Sequence, residues 1–191
     1  MDTKGVLFAG VGGQGIVLAG DILCQVMMTS GLDVKKSEVH GMAQRGGAVT
    51  SHVRFGQKVY SPIAGKNDVD FLVSFEKMDT LRYLDFLKPE GMVIINSEEI
   101  YPPAVNLGDA VYPDNVVEIV RQRFQVVKVV DAKDLADRAG NVRTVNTVLL
   151  GTLSFSLSAP LELWEGVLKN AFAPKLAEAN LKAFHLGRSV R

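Results

Sequence analysis

Four glycines fall within six residues near the start of the chain, in the run Gly10-Val11-Gly12-Gly13-Gln14-Gly15. An apolar segment, Val6 to Ala9, precedes them, and an amphipathic stretch from Ile16 to about Met28 follows. Strand, glycine-rich turn and helix in that order open an α/β fold. Glycines let the backbone turn tightly and approach a bound group closely, and the helix start directs unpaired N–H groups and a positive dipole towards an anion. Two readings stay open at this point: a site for a phosphate, diphosphate or other anion, or a tight turn that holds nothing.

The rest of the chain repeats the pattern. Asp21, Gln25 and Thr29 recur every four residues as the wet stripe of the first helix, Leu18, Ile22, Leu23, Val26 and Met27 cover its other sides, and Gly31 stops it. Further strands are expected over Asp33 to Val39, Ala48 to Phe55, Asp70 to Phe75, Gly91 to Ile95 and Gln125 to Val130, with helices over Lys77 to Leu87 and Asn115 to Phe124. In the segment from Ala48, Val49, Ser51, Val53 and Phe55 share one face, and Thr50, His52 and Arg54 the other. The tail reads as helical: Asn141 caps one helix, Pro160 and Pro174 open two more as first-turn prolines, and Gly187 closes the last. The expected fold is α/β, a Rossmann-like, doubly wound and mostly parallel sheet with a helical C-terminal tail, forming one domain over residues 1–191.

A true dinucleotide fold also wants an acid at the end of the second strand, for the ribose hydroxyls. Glu38 lies near that place, but the loop after it, His40-Gly-Met-Ala-Gln-Arg-Gly-Gly47, fits poorly, so dinucleotide binding is a weaker reading than anion binding. Gln44, Arg45, Gly46 and Gly47 join a cation to a pliable backbone, either as a surface turn or as a ligand loop at the C-terminal edge of a strand. Glu76, Asn96 and Asp131 belong at comparable strand ends, each more as a helix cap than as a catalyst. His40, His52 and His185 lack metal-ligand spacing, and adjacent Ser51 and His52 point to opposite faces of a strand, which rules them out as a nucleophile–base pair.

Composition narrows the function. Lys+Arg and Asp+Glu both number 21, and this balance argues against a protein built to grip nucleic acid or an anionic membrane, while mildly favouring an assembled state. The single cysteine, Cys24, is read as a buried helix residue; it can neither form an internal disulfide nor hold an iron–sulfur cluster. The chain is expected to be cytoplasmic, without signal peptide or membrane span. Trp164, Phe172 and Phe184 in the tail fit either the domain's own core or a surface made for another protein.

The strings GVGGQGIVLAGDIL and EVHGMAQRGGAVTSHVRFG, followed by VSFEKMDTLRYLDFLKPEGMVIIN, NTVLLGTLSFSL and PKLAEANLKAFHLG, resemble the gamma-type domain of the 2-oxoacid:ferredoxin oxidoreductases, most of all its indolepyruvate-using branch. The resemblance covers nearly the whole chain. It implies an enzyme subunit without tightly bound cofactor of its own. The large alpha subunit would carry thiamine diphosphate and the iron–sulfur clusters, and the complex would turn indolepyruvate, CoA and oxidised ferredoxin into indoleacetyl-CoA, carbon dioxide and reduced ferredoxin. The implied state is a hetero-oligomer, with a homodimer possible for the chain alone. No catalytic or metal residue falls to this chain; Gly10, Gly12, Gly13, Gln14 and Gly15 match the family's glycine loop, where CoA or another phosphate-bearing ligand could bind, and Gln44 to Gly47 match a second loop facing the subunit or CoA cleft. Two rivals stand beside this: a free-standing nucleotide-binding or NAD(P)-dependent protein, and a non-catalytic assembly module.

Overall fold

The computed structural model describes residues 3–41 and 47–190. Six strands, β1 (Lys4–Val11), β2 (Asp33–His40), β3 (Ala48–Gly56), β4 (Val69–Ser74), β5 (Leu87–Asn96) and β6 (Val126–Val130), form one sheet in the order β2-β3-β1-β4-β5-β6. β1, β4, β5 and β6 run parallel, in register from Val6 opposite Phe71 to Asn96 opposite Val130. β3 is antiparallel to both its neighbours, β1 and β2. The sheet is therefore mostly parallel in direction, with one reversed strand.

Helices cover both faces, as a doubly wound sheet requires. α1 (Ile16–Thr29), α5 (Ala132–Ala139), α6 (Val145–Ser154), α7 (Leu161–Ala171) and α8 (Pro174–Arg188) pack on the face presented by Val6 and Phe8. α2 (Lys77–Tyr83) and α4 (Val116–Arg123) cover the opposite face, where Leu7, Ala9, Val93 and Ile95 meet Val116 and Val120. A single-turn α3 (Pro103–Asn106) lies in the connection from β5 to α4. Successive residues of β1 thus feed two separate cores, which is why its run is apolar throughout.

Several boundaries differ from expectation for identifiable reasons. The helix expected to reach Leu87 ends at Tyr83 and passes through a 3₁₀ turn, Leu84–Phe86. β5 then begins at Leu87 rather than Gly91, so Lys-Pro-Glu extends the strand beside a register shift between Val69 and Phe71. Asp131 is a helix cap, as expected: it opens α5, whose extent the sequence reading left undrawn, by accepting the Asp134 N–H at 3.0 Å, and Gly140, at φ 94°, ends it. Pro160 sits at the cap of α7 and not in its first turn, whereas Pro174 does open α8. Gly187 does not close α8, which runs on through Arg188. A Cβ there would lie 1.9 Å from the Val148 carbonyl oxygen, and one on Gly151 would lie 2.1 Å from the Phe184 carbonyl oxygen. These two glycines let α6 and α8 cross backbone to backbone.

The tail's aromatics serve this chain's own core. Trp164 and Phe184 are fully buried and stack at 5.5 Å between ring centroids, and Phe172 packs, partly buried, against the same core. Cys24 is buried as read, and burial pushes its thiol up to about 11. Ser51 faces α1 at Gly20, while His52 turns to the other side and meets Phe86 edge-on at 5.8 Å. No helix of the described residues is long and apolar enough to cross a membrane.

Candidate ligand site at the glycine loop

The strand order fixes where a crevice can form. From β1 the chain moves through α1 to the β2–β3 side, whereas β4, β5 and β6 are laid down on the other side. Connections that leave in opposite directions open a crevice at the C-terminal ends of the strands between them, here β1 and β4. The glycine loop lies there.

The four glycines have different physical reasons. Gly10 is required by packing: a Cβ would lie 2.6 Å from Gln14 Oε1 and 2.7 Å from Phe75 Cβ. Gly13 (φ 101°) and Gly15 (φ 83°) are required by conformation, and Gly15 is also pressed by the Asn146 side chain, whose Nδ2 would stand 2.9 Å from a Cβ. Gly12 has neither constraint; a Cβ would make ordinary contact with the Gly47 oxygen at 3.6 Å and Val49 at 3.7 Å. The fold therefore explains three of the four glycines and leaves Gly12 to be explained by something that approaches the loop.

Gln14 is committed to the protein. Its Oε1 accepts the Val11 N–H at 2.8 Å, and its Nε2 donates to the Phe75 carbonyl at 3.0 Å and to Glu98 Oε2 at 3.2 Å. Asn96, at the end of β5, donates to the same two acceptors at 2.9 and 3.4 Å and accepts the Ala132 N–H at 3.2 Å. These two amides tie the ends of β1, β4, β5 and β6 together beneath the loop. Above it, Gly15 caps α1 without a side-chain hydrogen bond, and the first turn carries no acid. The first N–H groups of the helix have no intrahelical acceptor, and nothing on their own turn opposes an anion.

Two cavities flank the loop. One of about 660 Å³ is lined by Gly13, Gln14, Gly15, Glu98, Lys133 and Arg143, with Leu18, Val142, Val145 and Asn146 completing it. Lys133 comes from the first turn of α5 and Arg143 from the 3₁₀ turn before α6; both are exposed, and neither enters an ion pair among the described residues. The other, about 430 Å³, lies on the β3 side against Gly12, Val17, Asp21, His40 and Val49. Sequence reasoning placed the loop but missed Lys133, Arg143, Asn146 and Glu98. The available signal for Lys133 was its position two residues after Asp131 at a strand end, visible once α5 is recognised.

Of the second loop, Gly47 is brought to the site: its carbonyl accepts the Gly12 N–H at 2.9 Å. Gln44, Arg45 and Gly46 lie outside the described residues. Glu38 is not placed for a ribose. β3 separates β2 from β1, and the Glu38 carboxylate is engaged by Lys36 and by His40 Nε2 at 3.1 Å, which hold it below the usual carboxylate range. Glu76 caps α2, accepting the Asp79 N–H at 2.5 Å and the Tyr112 hydroxyl proton at 2.8 Å.

The sequence matches the family model described as pyruvate ferredoxin/flavodoxin oxidoreductase over residues 5–190. It is 39% identical to the indolepyruvate oxidoreductase subunit IorB of Thermococcus kodakarensis over 98% of this chain and 95% of that protein. In fold it is similar to the gamma subunit of a keto/oxoacid ferredoxin oxidoreductase from Geobacter sulfurreducens, with a TM-score of 0.76 at 22% identity, covering 100% of this chain and 97% of that one. It is similar also to the 2-oxoglutarate:ferredoxin oxidoreductase of Magnetococcus marinus, with a TM-score of 0.78 at 21% identity; there the match covers 100% of this chain but 31% of the other. Family model and sequence identity agree over almost the whole chain: it belongs to the pyruvate ferredoxin/flavodoxin oxidoreductase family, as a gamma-type subunit of a 2-oxoacid:ferredoxin oxidoreductase.

Proposed function

We propose that this chain is the small subunit of a cytoplasmic indolepyruvate:ferredoxin oxidoreductase, that its substrate-transforming cofactors reside on a larger partner, and that its glycine-loop crevice holds a phosphate-bearing ligand, with CoA as the candidate. The observation that carries the reading is the identity of 39% to an indolepyruvate oxidoreductase subunit, sustained over 98% of the chain. The cysteine inventory supports the division of labour. A single thiol, pushed up to about 11 by burial, is no ligand for an electron-carrying cluster. The Magnetococcus relative offers a parallel, since there the same fold makes up about a third of one longer chain.

Thiamine diphosphate, on the partner, would supply the carbanion chemistry that releases carbon dioxide from the 2-oxoacid. This chain's own residues would bind and orient. The loop N–H groups and the Lys133 and Arg143 side chains present donors and positive charge to phosphate oxygens. Gly12 leaves the backbone open to them. Glu98 keeps anions to the Lys133–Arg143 side of the cavity, because its carboxylate already occupies the other side with the Gln14 and Asn96 amides. Co-purification of the chain with its thiamine-bearing partner, followed by ferredoxin reduction with indolepyruvate, pyruvate and 2-oxoglutarate in turn, tests the reading. Turnover should need both chains and CoA and should favour indolepyruvate. Equal turnover by the partner alone, or tight NAD(P) binding by the isolated chain, would overturn it.

A further inference from the structure

β2 opens the strand order, so one of its sides meets no other strand. Its register with β3 fixes which groups face that side. Along an antiparallel pair, residues that exchange main-chain hydrogen bonds alternate with residues that do not. The Gly41 N–H donates to the Ala48 carbonyl at 2.7 Å, so Gly41 belongs to the bonded set. Asp33, Lys35, Ser37 and Val39 therefore direct their main-chain groups to β3, and Val34, Lys36, Glu38 and His40 turn theirs to the free edge. Exposed edges are commonly guarded by a lysine. Lys128 stands at the middle of β6, the opposite edge, where self-pairing would set it against itself. On β2 the corresponding Lys36 is neutralised by Asp21 of α1 and by Glu38.

We propose that two copies of this chain join edge to edge through β2, antiparallel about a two-fold axis at Ser37, into one continuous sheet. The register follows from the backbone. Outward residues must oppose outward residues, and these alternate, so the axis passes through a residue and not between two. The two central choices are Lys36 and Ser37. The first sets Lys36 against itself. The second sets each Lys36 against Glu38 of the other copy and each Val34 against His40, with about eight main-chain hydrogen bonds across the joint. α1 agrees with this occupant. Leu18, Asp21, Gln25 and Met28 form one exposed stripe along it, and Asp21 places that stripe towards the free edge by reaching Lys36, while α6 and α7 pack on α1 elsewhere. In the joined sheet the two stripes run antiparallel over the joint. β3 stands between the joint and β1, so each copy keeps its crevice between β1 and β4. The inference goes beyond the subunit reading and does not depend on it.

Single cysteines in the full-length chain test the register, alone and in the two-chain complex. Ser37 would oppose itself in a non-hydrogen-bonded pair, with Cα atoms about 4.5 Å apart, within disulfide reach. Under mild oxidation Ser37→Cys should link to a second copy at least about ten-fold faster than Lys35→Cys, which lies about 13 Å from its own copy in this register. A mixture of Lys35→Cys and Val39→Cys, which the register opposes, should link where neither does alone. Cys24 is buried and stays out of the reaction. In sedimentation equilibrium Lys36→Glu should raise the dimer dissociation constant at least about ten-fold, and Lys36→Glu/Glu38→Lys should return it to within about three-fold. If Lys36→Glu fails to fold, the cysteine series decides alone. A chain that sediments only as a monomer overturns the proposal, as does a dimer in which Ser37→Cys links no faster than Lys35→Cys. Protection of Ser37→Cys by the larger chain, in place of linkage between copies, assigns the edge to that chain and also overturns it.

Discussion

Gly12→Ala and Gly15→Ala separate what the loop does for the fold from what it does for a ligand. At Gly15 a Cβ meets a left-handed backbone, at φ 83°, and the Asn146 side chain at 2.9–3.2 Å. The conformational cost for a non-glycine residue there is about 1–2 kcal/mol, and displacing Asn146 adds about 1 kcal/mol for its disturbed hydrogen bonds. The expected loss is therefore about 2–3 kcal/mol, or roughly 4–12 °C in Tm at about 2–4 °C per kcal/mol for a chain of this size. At Gly12 the nearest atoms lie at 3.6 and 3.7 Å, so alanine is free of strain and the reduced freedom of the unfolded chain should stabilise by about 0.4–1 kcal/mol. The same methyl would hold a phosphate away from the loop, forfeiting charge-assisted hydrogen bonds worth about 1.5–3 kcal/mol, roughly a 10- to 150-fold loss of affinity. Scanning calorimetry and CoA titration of both variants, in the two-chain complex, give the four numbers. A Gly12→Ala protein that melts as early as Gly15→Ala would refute the account of the loop's geometry. Unchanged CoA affinity in a stable Gly12→Ala protein would leave the loop as a tight turn that holds nothing.

Gly187→Ala should lower Tm by several degrees, because its Cβ falls 1.9 Å from backbone that cannot rotate away, whereas Gly166→Ala in α7, with nothing within 4 Å, should raise it by the helix-propensity gain of about 0.8–1 kcal/mol; equal shifts in thermal melts would contradict the α6–α8 crossing. Burial holds His52 below its ordinary value, so the unfolded chain takes up a proton that the folded one refuses, and stability should fall as pH drops below about 6.5, by at most about 1.4 kcal/mol per pH unit; His52→Leu should flatten urea midpoints measured between pH 7 and 5. Cys24, with its thiol pushed up to about 11, should resist alkylation at pH 8 until the protein unfolds, and rapid native-state labelling would contradict its burial. Lys133→Glu and Arg143→Glu should each weaken CoA binding, read by titration calorimetry, and reduce its salt dependence.

Strand and helix positions were legible because each element carries its own period. β1 reads as a continuous apolar run since both its faces are covered, and α1 shows Asp21 and Gln25 on a wet stripe that is exposed in the structure. Strand order is not local information. Nothing in Ala48–Gly56 announces that it will slip between β1 and β2, because the decision is made by pairing across the sheet: Val6 opposite Val53, and Ser37 opposite His52. The reversal had a visible trace all the same. β2 and β3 are joined by a short glycine-rich connection, which suits adjacent antiparallel strands and is too short for the helical crossover that parallel neighbours need. The same blindness to long-range packing explains Trp164 and Phe184, whose burial depends on α6, α7 and α8 assembling far from their own sequence neighbourhood.

The candidate site divides along the same line. Residues that shape the loop from within, Gly10, Gly13 and Gly15, lie in one run and declare themselves by composition. Those that would meet a ligand arrive from elsewhere, and their separations run from Gly13 to Lys133 and Arg143. Each is an unremarkable residue of a polar helix start until the sheet's C-terminal edge gathers them. Gln14 shows the converse error of judging by proximity in sequence. It sits in the middle of the motif, yet its amide faces inward and is saturated by Val11, Phe75 and Glu98. A substitution such as Gln14→Ala would therefore disturb the ends of β1 and β4 before it touched a ligand, and loss of binding in that variant would say little about contact. The cations that the sequence hid are the better probes, because their side chains reach the cavity without holding the fold together.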